Sequence, residues 1–201
     1  MINIFSYFIF LIFSYFLFAD SPNVVIIFTD DQGYGDLGCY GSKTNKTPRL
    51  DRLASEGTLF TSFYSQTVCG PARSALLTGR YPCRSRGWGM PASEITFAEL
   101  IKGAGYQTAC IGKWDVSNRK AIIDRMPNAQ GFDYFYGALG ANDSGKIKFH
   151  ENNNDAGMSD NMGELTTLYT DKSIDFLKNK RDPQKPFILY LAHTMMHTII
   201  D

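Results

Sequence analysis

The stretch that most constrains the fold runs from Asn23 to Phe28 and is followed at once by Thr29-Asp30-Asp31. It is an unbroken, mostly β-branched apolar run, which predicts a strand buried on both faces of a parallel sheet. In open α/β sheets, ligand sites form just beyond the carboxyl ends of the strands. Two adjacent carboxylates at that point repel each other, and a hard divalent cation such as Ca²⁺ removes the repulsion. We therefore predict a metal site at Asp30 and Asp31.

Further strands and helices alternate along the chain, which predicts an α/β sandwich with a mostly parallel central sheet. Thr96 and Glu99 form a capping-box pattern that opens one of the helices. A long surface loop is expected over residues 142–162, which are rich in Asn, Asp and Gly. The predicted strands are 58–64, 106–111 and 187–192, and the predicted helices are 48–56, 97–102 and 165–177.

Composition excludes some function classes and indicates a compartment. The 201 residues include 20 basic and 20 acidic side chains, a balance that argues against nucleic-acid binding. Ile4 to Phe18 are almost wholly apolar, so we predict a signal peptide over residues 1–19. The expected location is secreted, periplasmic or another secretory compartment. The basic start of a usual signal peptide is missing, which leaves an uncleaved membrane anchor as the alternative; otherwise no membrane contact is expected.

The segment from Cys69 to Arg80 predicts a helix with a reactive N-terminus. Pro71 suits the first position of a helix and Gly79 suits its left-handed end. Cys69 would then lie at the helix N-terminus, where free N–H groups and the helix dipole favour an anion. Arg73 lies one turn further on the same face and adds a fixed positive charge. A sulfur atom, an anion site and an arginine within one turn indicate a functional site.

This segment resembles the signature of the type I sulfatases, Cys-x-Pro-x-Arg followed by Leu-Thr-Gly-Arg. Three other stretches are similar to motifs of the same family. Each follows a predicted strand: Asp30-Asp31-x-Gly-Tyr-Gly-Asp, Gly112-Lys113-Trp114, and Ala-His-x-x-x-His-Thr ending at His197-Thr198. The resemblance covers about residues 22–201 and implies the alkaline-phosphatase-like fold. It further implies that residues 20–201 are the N-terminal part of a sulfatase catalytic domain, truncated at its C-terminal side.

The resemblance also implies an activity, which is hydrolysis of sulfate esters to an alcohol and inorganic sulfate. A formylglycine-generating enzyme would convert Cys69 to the formylglycine nucleophile, and the substrate would be a sulfated small molecule or polysaccharide. One Ca²⁺ would be held in part by Asp30, Asp31 and residue 69. The catalytic residues would be Cys69 as the nucleophile, Arg73 to orient it, Lys113 to stabilise the sulfate, Asp115 in the position of a base, and His197 as the acid for the leaving group.

Asp115 departs from the family pattern, which has histidine at this position. A carboxylate would repel an anionic substrate by about 3 kcal/mol at ~5 Å and an effective dielectric constant of ~20. This predicts that Asp115→His would raise activity. Two other functions stay open at this point: hydrolysis of phosphonate or phosphate diesters, and a non-catalytic remnant that binds sulfated glycans.

Overall fold

A computed structural model describes residues 21–198 of the chain. Six strands form one sheet with the order β1-β6-β2-β3-β4-β5. The first four strands in that order are parallel, and β4 and β5 continue the sheet as antiparallel neighbours. The strands are β1 (Val24–Phe28), β2 (Gln107–Lys113), β3 (Tyr134–Ala138), β4 (Ile147–Glu151), β5 (Asn154–Ser159) and β6 (Phe187–Ala192). The α/β class and the mostly parallel sheet predicted from the sequence are confirmed.

The connections between strands carry five α-helices. They are α1 (Pro48–Glu56), α2 (Cys69–Thr78), α3 (Pro82–Ser85), α4 (Phe97–Gly103) and α5 (Leu165–Asp175), the last continued by a π-helical turn, Phe176–Lys180. Short 3₁₀ turns lie at Tyr34–Asp36, Gly38–Tyr40, Ile123–Arg125, Pro127–Gln130 and Met162–Glu164. Among the described residues, no helix has both the length and the apolar character needed to cross a membrane.

Alternation along the central strands divides the core into two layers. On β2, Ala109 and Ile111 pack on one face with Tyr169 of α5, while Cys110 packs on the other face with Leu77 of α2 and Ala98 of α4. Because successive side chains of a strand point to opposite faces, one apolar run serves both layers. The result is a sheet with helices on both faces.

The first strand differs from its prediction. Val25 and Ile27 are 50% and 56% exposed, so β1 is not buried on both faces. The reason is its place at the edge of the sheet, where it pairs only with β6. An unbroken apolar run indicates burial in general, but it does not tell a central strand from an edge strand.

Two further predictions were wrong. Residues 57–68 are irregular instead of forming a strand. A tyrosine hydroxyl bonds part of their backbone: Tyr34 Oη donates to the Phe63 carbonyl at 2.7 Å and accepts from the Phe63 N–H at 3.0 Å. The expected loop over 142–162 contains the β4–β5 hairpin. Its polar residues form the turn, while Ile147 and Phe149 are buried in the core.

Candidate functional site

The parallel topology brings the polar ends of β1, β2 and β6 to one edge of the sheet. Beyond β1 and β6 the chain continues side by side: His193 N–H donates to the Phe28 carbonyl at 2.8 Å, and Asp30 N–H donates to the Met195 carbonyl at 3.1 Å. Lys113 ends the strand that pairs with β6 on its other side. Residues separated by more than 160 positions therefore become neighbours because parallel strands end together.

The helix that carries Cys69 begins two residues earlier than predicted. Val68 caps α2, Cys69 is its first residue and Pro71 its third, and Gly79 ends it in a left-handed conformation at φ 65°. Proline is tolerated there because the first N–H groups of a helix have no partner inside the helix. The predicted place of Cys69 at the helix N-terminus is confirmed.

Trp88 packs against the first turn of this helix, and sequence reasoning missed it. A Cβ at position 70 would lie 2.3 Å from Trp88 Cδ1, so the contact requires Gly70. The indole N–H then reaches Asp115 Oδ2 at 3.2 Å. The glycine after Cys69 was the sequence signal that another group approaches the backbone at this point.

Arg73 ties the three strand ends together. Its side chain is fully buried, and its Nη atoms donate to the Lys113 carbonyl at 3.0 Å and the His193 carbonyl at 3.1 Å. Nη2 also lies 3.5 Å from Asp30 Oδ2. Burial would lower the pKa of Arg73, but Tyr190 and Asp30 have the larger effect together and raise it. The guanidinium is thus a fixed positive group behind the carboxyl ends of the strands.

Lys113 and Asp30 form a buried ion pair in front of Arg73. Lys113 Nζ donates to Asp30 Oδ2, and both side chains are almost completely buried. Burial would raise the pKa of Asp30, but Arg73 and Lys113 together lower it. The Asp30 carboxylate is therefore ionised at neutral pH. The structure places Lys113 as the last residue of β2, not beyond the strand as the sequence suggested.

Asp115 is held by three groups and is fully buried. Arg119 Nε donates to its Oδ1 at 3.0 Å, Trp88 donates to its Oδ2, and Lys113 Nζ lies 3.7 Å from the same oxygen. The negative charge that sequence reasoning set against an anionic substrate therefore has two cationic neighbours. Arg119 was missed because it follows Asp115 in a loop, where spacing predicts no contact.

His197 lies at the outer side of the cluster. Its Nδ1 bonds to the Thr198 carbonyl, and because a carbonyl only accepts, that nitrogen carries a hydrogen. Its Nε2 faces two carboxylates, Asp143 Oδ1 at 3.4 Å and Asp31 Oδ2 at 4.0 Å. Asp143 was also missed, since it lies in the stretch predicted to be a surface loop.

Three side chains have the geometry of a metal site. Ligand atoms of Asp30, Cys69 and His197 all lie within 4.8 Å of one another. Asp31, predicted as a ligand, is outside this group, and its carboxylate is more than half exposed. Burial raises the pKa of the Cys69 thiol, with Lys113 opposing and Asp30 adding to the shift. Carboxylate oxygens suit a hard cation, whereas a protonated thiol and an imidazole nitrogen do not, so Asp30 fits Ca²⁺ once residue 69 offers oxygen.

A cavity of about 700 Å³ opens onto this cluster. Asp30, Asp31 and Cys69 lie on its wall, and Tyr34, Phe60, Phe63 and Tyr64 supply aromatic side chains. Its volume is in the range of small-molecule sites. The cavity gives a ligand direct access to residue 69.

Comparison with known proteins agrees with this arrangement. The family model described as Sulfatase matches residues 22–200. The chain is 35% identical over 212 residues to N-acetylgalactosamine-6-sulfatase of Rattus norvegicus, covering 88% of this chain and 40% of that protein. It is 44% identical over 138 residues to steryl-sulfatase of Homo sapiens, covering 59% of this chain and 24% of that one.

Solved structures are similar as well. One, a complex with its substrate D-glucosamine-2-N,6-O-disulfate, superimposes with a TM-score of 0.76 at 31% identity, covering 89% of this chain and 35% of that chain. The PsFucS1 sulfatase from Pseudoalteromonas sp. superimposes with a TM-score of 0.73 at 27% identity, covering 89% and 45%. The chain thus spans less than half the length of these relatives. With the family model matched over nearly all of its residues, the chain belongs to the sulfatase family.

Proposed function

We propose that the protein hydrolyses sulfate esters, releasing an alcohol and inorganic sulfate. The observation that carries the proposal is the meeting of Asp30, Cys69 and His197 at the edge of the sheet, with Arg73 and Lys113 buried behind them. These groups bring residue 69, two buried cationic side chains and a candidate proton donor together at the strand ends. Family membership supports the same reaction.

Residue 69 is proposed to act as formylglycine, produced from Cys69 by a maturation enzyme. When present, its hydrate would supply the hydroxyl group that attacks sulfur, and Ca²⁺ would supply positive charge beside it. Asp30 would hold the cation together with an oxygen of residue 69, and Asp31 would join them only by turning its exposed carboxylate toward that group. Lys113 and Arg73 fix the orientation of the Asp30 carboxylate through the contacts described above. The position of residue 69 at a helix N-terminus favours the oxyanion that develops there.

His197 is the proposed proton donor. Cleavage breaks the bond between sulfur and the alcohol oxygen, and that oxygen takes a proton from His197 Nε2. The Thr198 carbonyl orients the ring, and Nε2 faces the carboxylates of Asp143 and Asp31. Asp115 is better placed as a positioning residue than as a base, because both of its oxygens are already bonded. It holds Trp88 against the helix that carries residue 69.

A sulfated sugar is the proposed substrate. One relative is named for the 6-sulfate of N-acetylgalactosamine, and one similar structure contains a sulfated glucosamine. The steryl-sulfatase relative names a different alcohol. Assays with 4-nitrophenyl sulfate, a sugar sulfate and a steryl sulfate would rank these classes by kcat/KM.

The decisive experiment couples modification to turnover. The whole protein is produced with and without the maturation enzyme, and mass spectrometry identifies the tryptic peptide that ends at Arg73. We expect formylglycine only with the enzyme, and turnover of 4-nitrophenyl sulfate only with formylglycine. A Cys69→Ala variant is the matched control. Faster hydrolysis of an aryl phosphodiester, or sulfate binding with no turnover of modified protein, would refute the proposal.

Compartment is a separate proposal. We propose that residues 1–19 direct the protein into a secretory route and are then removed, although these residues lie outside the part of the chain that the structure describes. Sequencing the N-terminus of the mature protein tests this, with Asp20 as the expected first residue. Retention of the apolar segment together with membrane fractionation would support the anchor instead.

A further inference from the structure

A second cavity of about 380 Å³ lies where β3 and β4 meet the loop between them. Its volume is within the range of small-ligand sites. Side chains and backbone from both strands form its wall, so its floor is part of the sheet. Its wall includes Arg119, Leu139, Lys146, Ile147, Lys148 and His150.

Every titratable side chain on the wall of this cavity is basic. The chain as a whole has 20 basic and 20 acidic residues, so composition alone does not predict an all-basic lining. Lys148 is paired with Asp155 and Arg119 with Asp143, and both carboxylates lie outside the lining. Lys146 is exposed and takes part in none of the ion pairs of residues 21–198. The wall of the cavity therefore carries basic side chains and no carboxylate.

His150 adds a buried imidazole ring with one unpaired nitrogen. It is 7% exposed, and its Nδ1 has no hydrogen-bond partner among the described residues. Burial and then Lys148 lower its pKa, with Asp155 opposing. An unpaired buried polar atom destabilises a protein. A ligand in the cavity could supply the missing partner.

Arg119 connects this cavity to the candidate active site. Its Nε bonds to Asp115, and its Nη1 bonds to Asp143 Oδ2 at 2.7 Å. The other oxygen of Asp143 lies 3.4 Å from His197 Nε2. Two side-chain contacts thus separate the wall of the cavity from the proposed proton donor.

We propose that this cavity is a subsite for a second anionic group of the substrate, a carboxylate or a second sulfate on the same or the adjacent sugar. The proposal rests on the sulfatase function proposed above and assigns the substrate as an acidic sugar carrying at least two negative groups. Lys146 and Lys148 would bind the anion, His150 would donate a hydrogen bond, and Leu139 and Ile147 would contact the sugar.

Kinetic comparison of three substrates tests this. They are a neutral sugar with one sulfate, the same sugar with two sulfates, and the monosulfated sugar joined to a uronic acid. We expect kcat/KM to be about 10-fold higher for one of the dianionic substrates, since one hydrogen bond to a charged group is worth about that factor. The dianionic substrate with the higher kcat/KM shows whether the subsite binds a sulfate or a carboxylate. Lys146→Ala should remove the preference, whereas Lys43→Ala, an exposed lysine elsewhere, should keep it.

A binding measurement makes the test independent of turnover. The chain has three histidines, so ¹⁵N-labelled imidazole signals can be assigned with a His150→Gln variant. Glucuronate and methanesulfonate are the probes, and we expect one of them to shift the His150 signal in the parent protein but not in Lys146→Ala. Equal kcat/KM for all three substrates with no shift of His150 would overturn the subsite. If none of the three substrates is turned over but a probe still shifts the His150 signal, the proposed reaction is wrong and the subsite is supported.

Discussion

The candidate site has two halves that differ in burial and in how tightly their charges are held. The inner half is Asp30, Arg73, Lys113 and Asp115, all buried and joined to one another by ion pairs. The outer half is Asp31, Cys69, Asp143 and His197, which are partly exposed and whose carboxylate–imidazole contacts are 3.4 and 4.0 Å. Because removing one partner of a buried pair leaves an uncompensated charge, the inner half is tied to folding. The outer half has longer contacts to His197, so we expect its variants to affect turnover more than folding.

This contrast predicts that inner-half variants lose stability and outer-half variants lose activity. Arg73→Ala, Asp115→His, Asp133→Asn and His197→Gln should lower the free energy of unfolding in that order, from the largest effect to the smallest. Each can be measured by urea denaturation together with an aryl sulfate assay.

Arg73→Ala should have the largest effect on stability. It removes the cation beside Asp30 and leaves the carbonyls of Lys113 and His193 without their donor. We expect a loss of about 3–5 kcal/mol in the free energy of unfolding. Arg84→Ala, at an exposed arginine, should stay within about 0.5 kcal/mol of the parent. A loss below about 1 kcal/mol for Arg73→Ala would show that the inner half does not support the fold.

Asp115→His should come next, and the structure reverses the direction expected from sequence alone. Histidine would remove the carboxylate that binds Arg119 and neighbours Lys113. We expect a loss of about 1–3 kcal/mol in stability and a fall in kcat/KM. Asp115→Asn is the control, since it keeps an acceptor for Trp88 but removes the charge. A rise in kcat/KM for Asp115→His would restore the view that the carboxylate only repels the substrate.

Asp133→Asn provides a reference carboxylate outside both halves. Lys102 Nζ lies 2.6 Å from Asp133 Oδ1. Burial would raise the pKa of Asp133, but Lys102 and Thr108 lower it below 3.8. A carboxyl group whose pKa is lower in the folded state stabilises the fold at pH values above its pKa in the unfolded state. The stabilisation is lost as the pH falls through its pKa in the folded state. We expect about 0.5–1 kcal/mol of destabilisation at pH 7, which fades as the pH falls from 3.8 through the lower pKa of the folded state. Activity should not change; a loss would extend the functional site to α4.

His197→Gln should have the smallest effect on stability and a large one on turnover. We expect a change within about 0.5 kcal/mol in unfolding and a 10²–10⁴-fold fall in kcat. The fall should be greater for an alkyl sulfate than for 4-nitrophenyl sulfate, because a good leaving group needs less proton transfer. Equal losses on both substrates would exclude the proton-donor role.

Much of the fold was predictable because it is local. The apolar runs of β1, β2 and β6 and the capping box of α4 have signals within a few residues, and the structure contains all of them. The strand expected at 58–64 does not form, because a strand needs a neighbouring strand to pair with, and a propensity pattern does not report one. The β4–β5 hairpin was missed because the many Asn, Asp and Gly residues of this stretch masked the short alternating pattern of Ile147 and Phe149.

The sequence by itself proposed which groups meet at the candidate site, because each motif that resembles the sulfatases lies at a predicted strand end or at a helix start. It named Asp30, Cys69, Arg73, Lys113 and His197 without knowing their distances. Only the tertiary structure decided which charges neutralise one another. Trp88, Arg119 and Asp143 reach the site from separate loops, and contacts between loops depend on how the whole sheet places them in space. That is why Asp115 changes from an isolated charge to one held between Arg119 and Lys113.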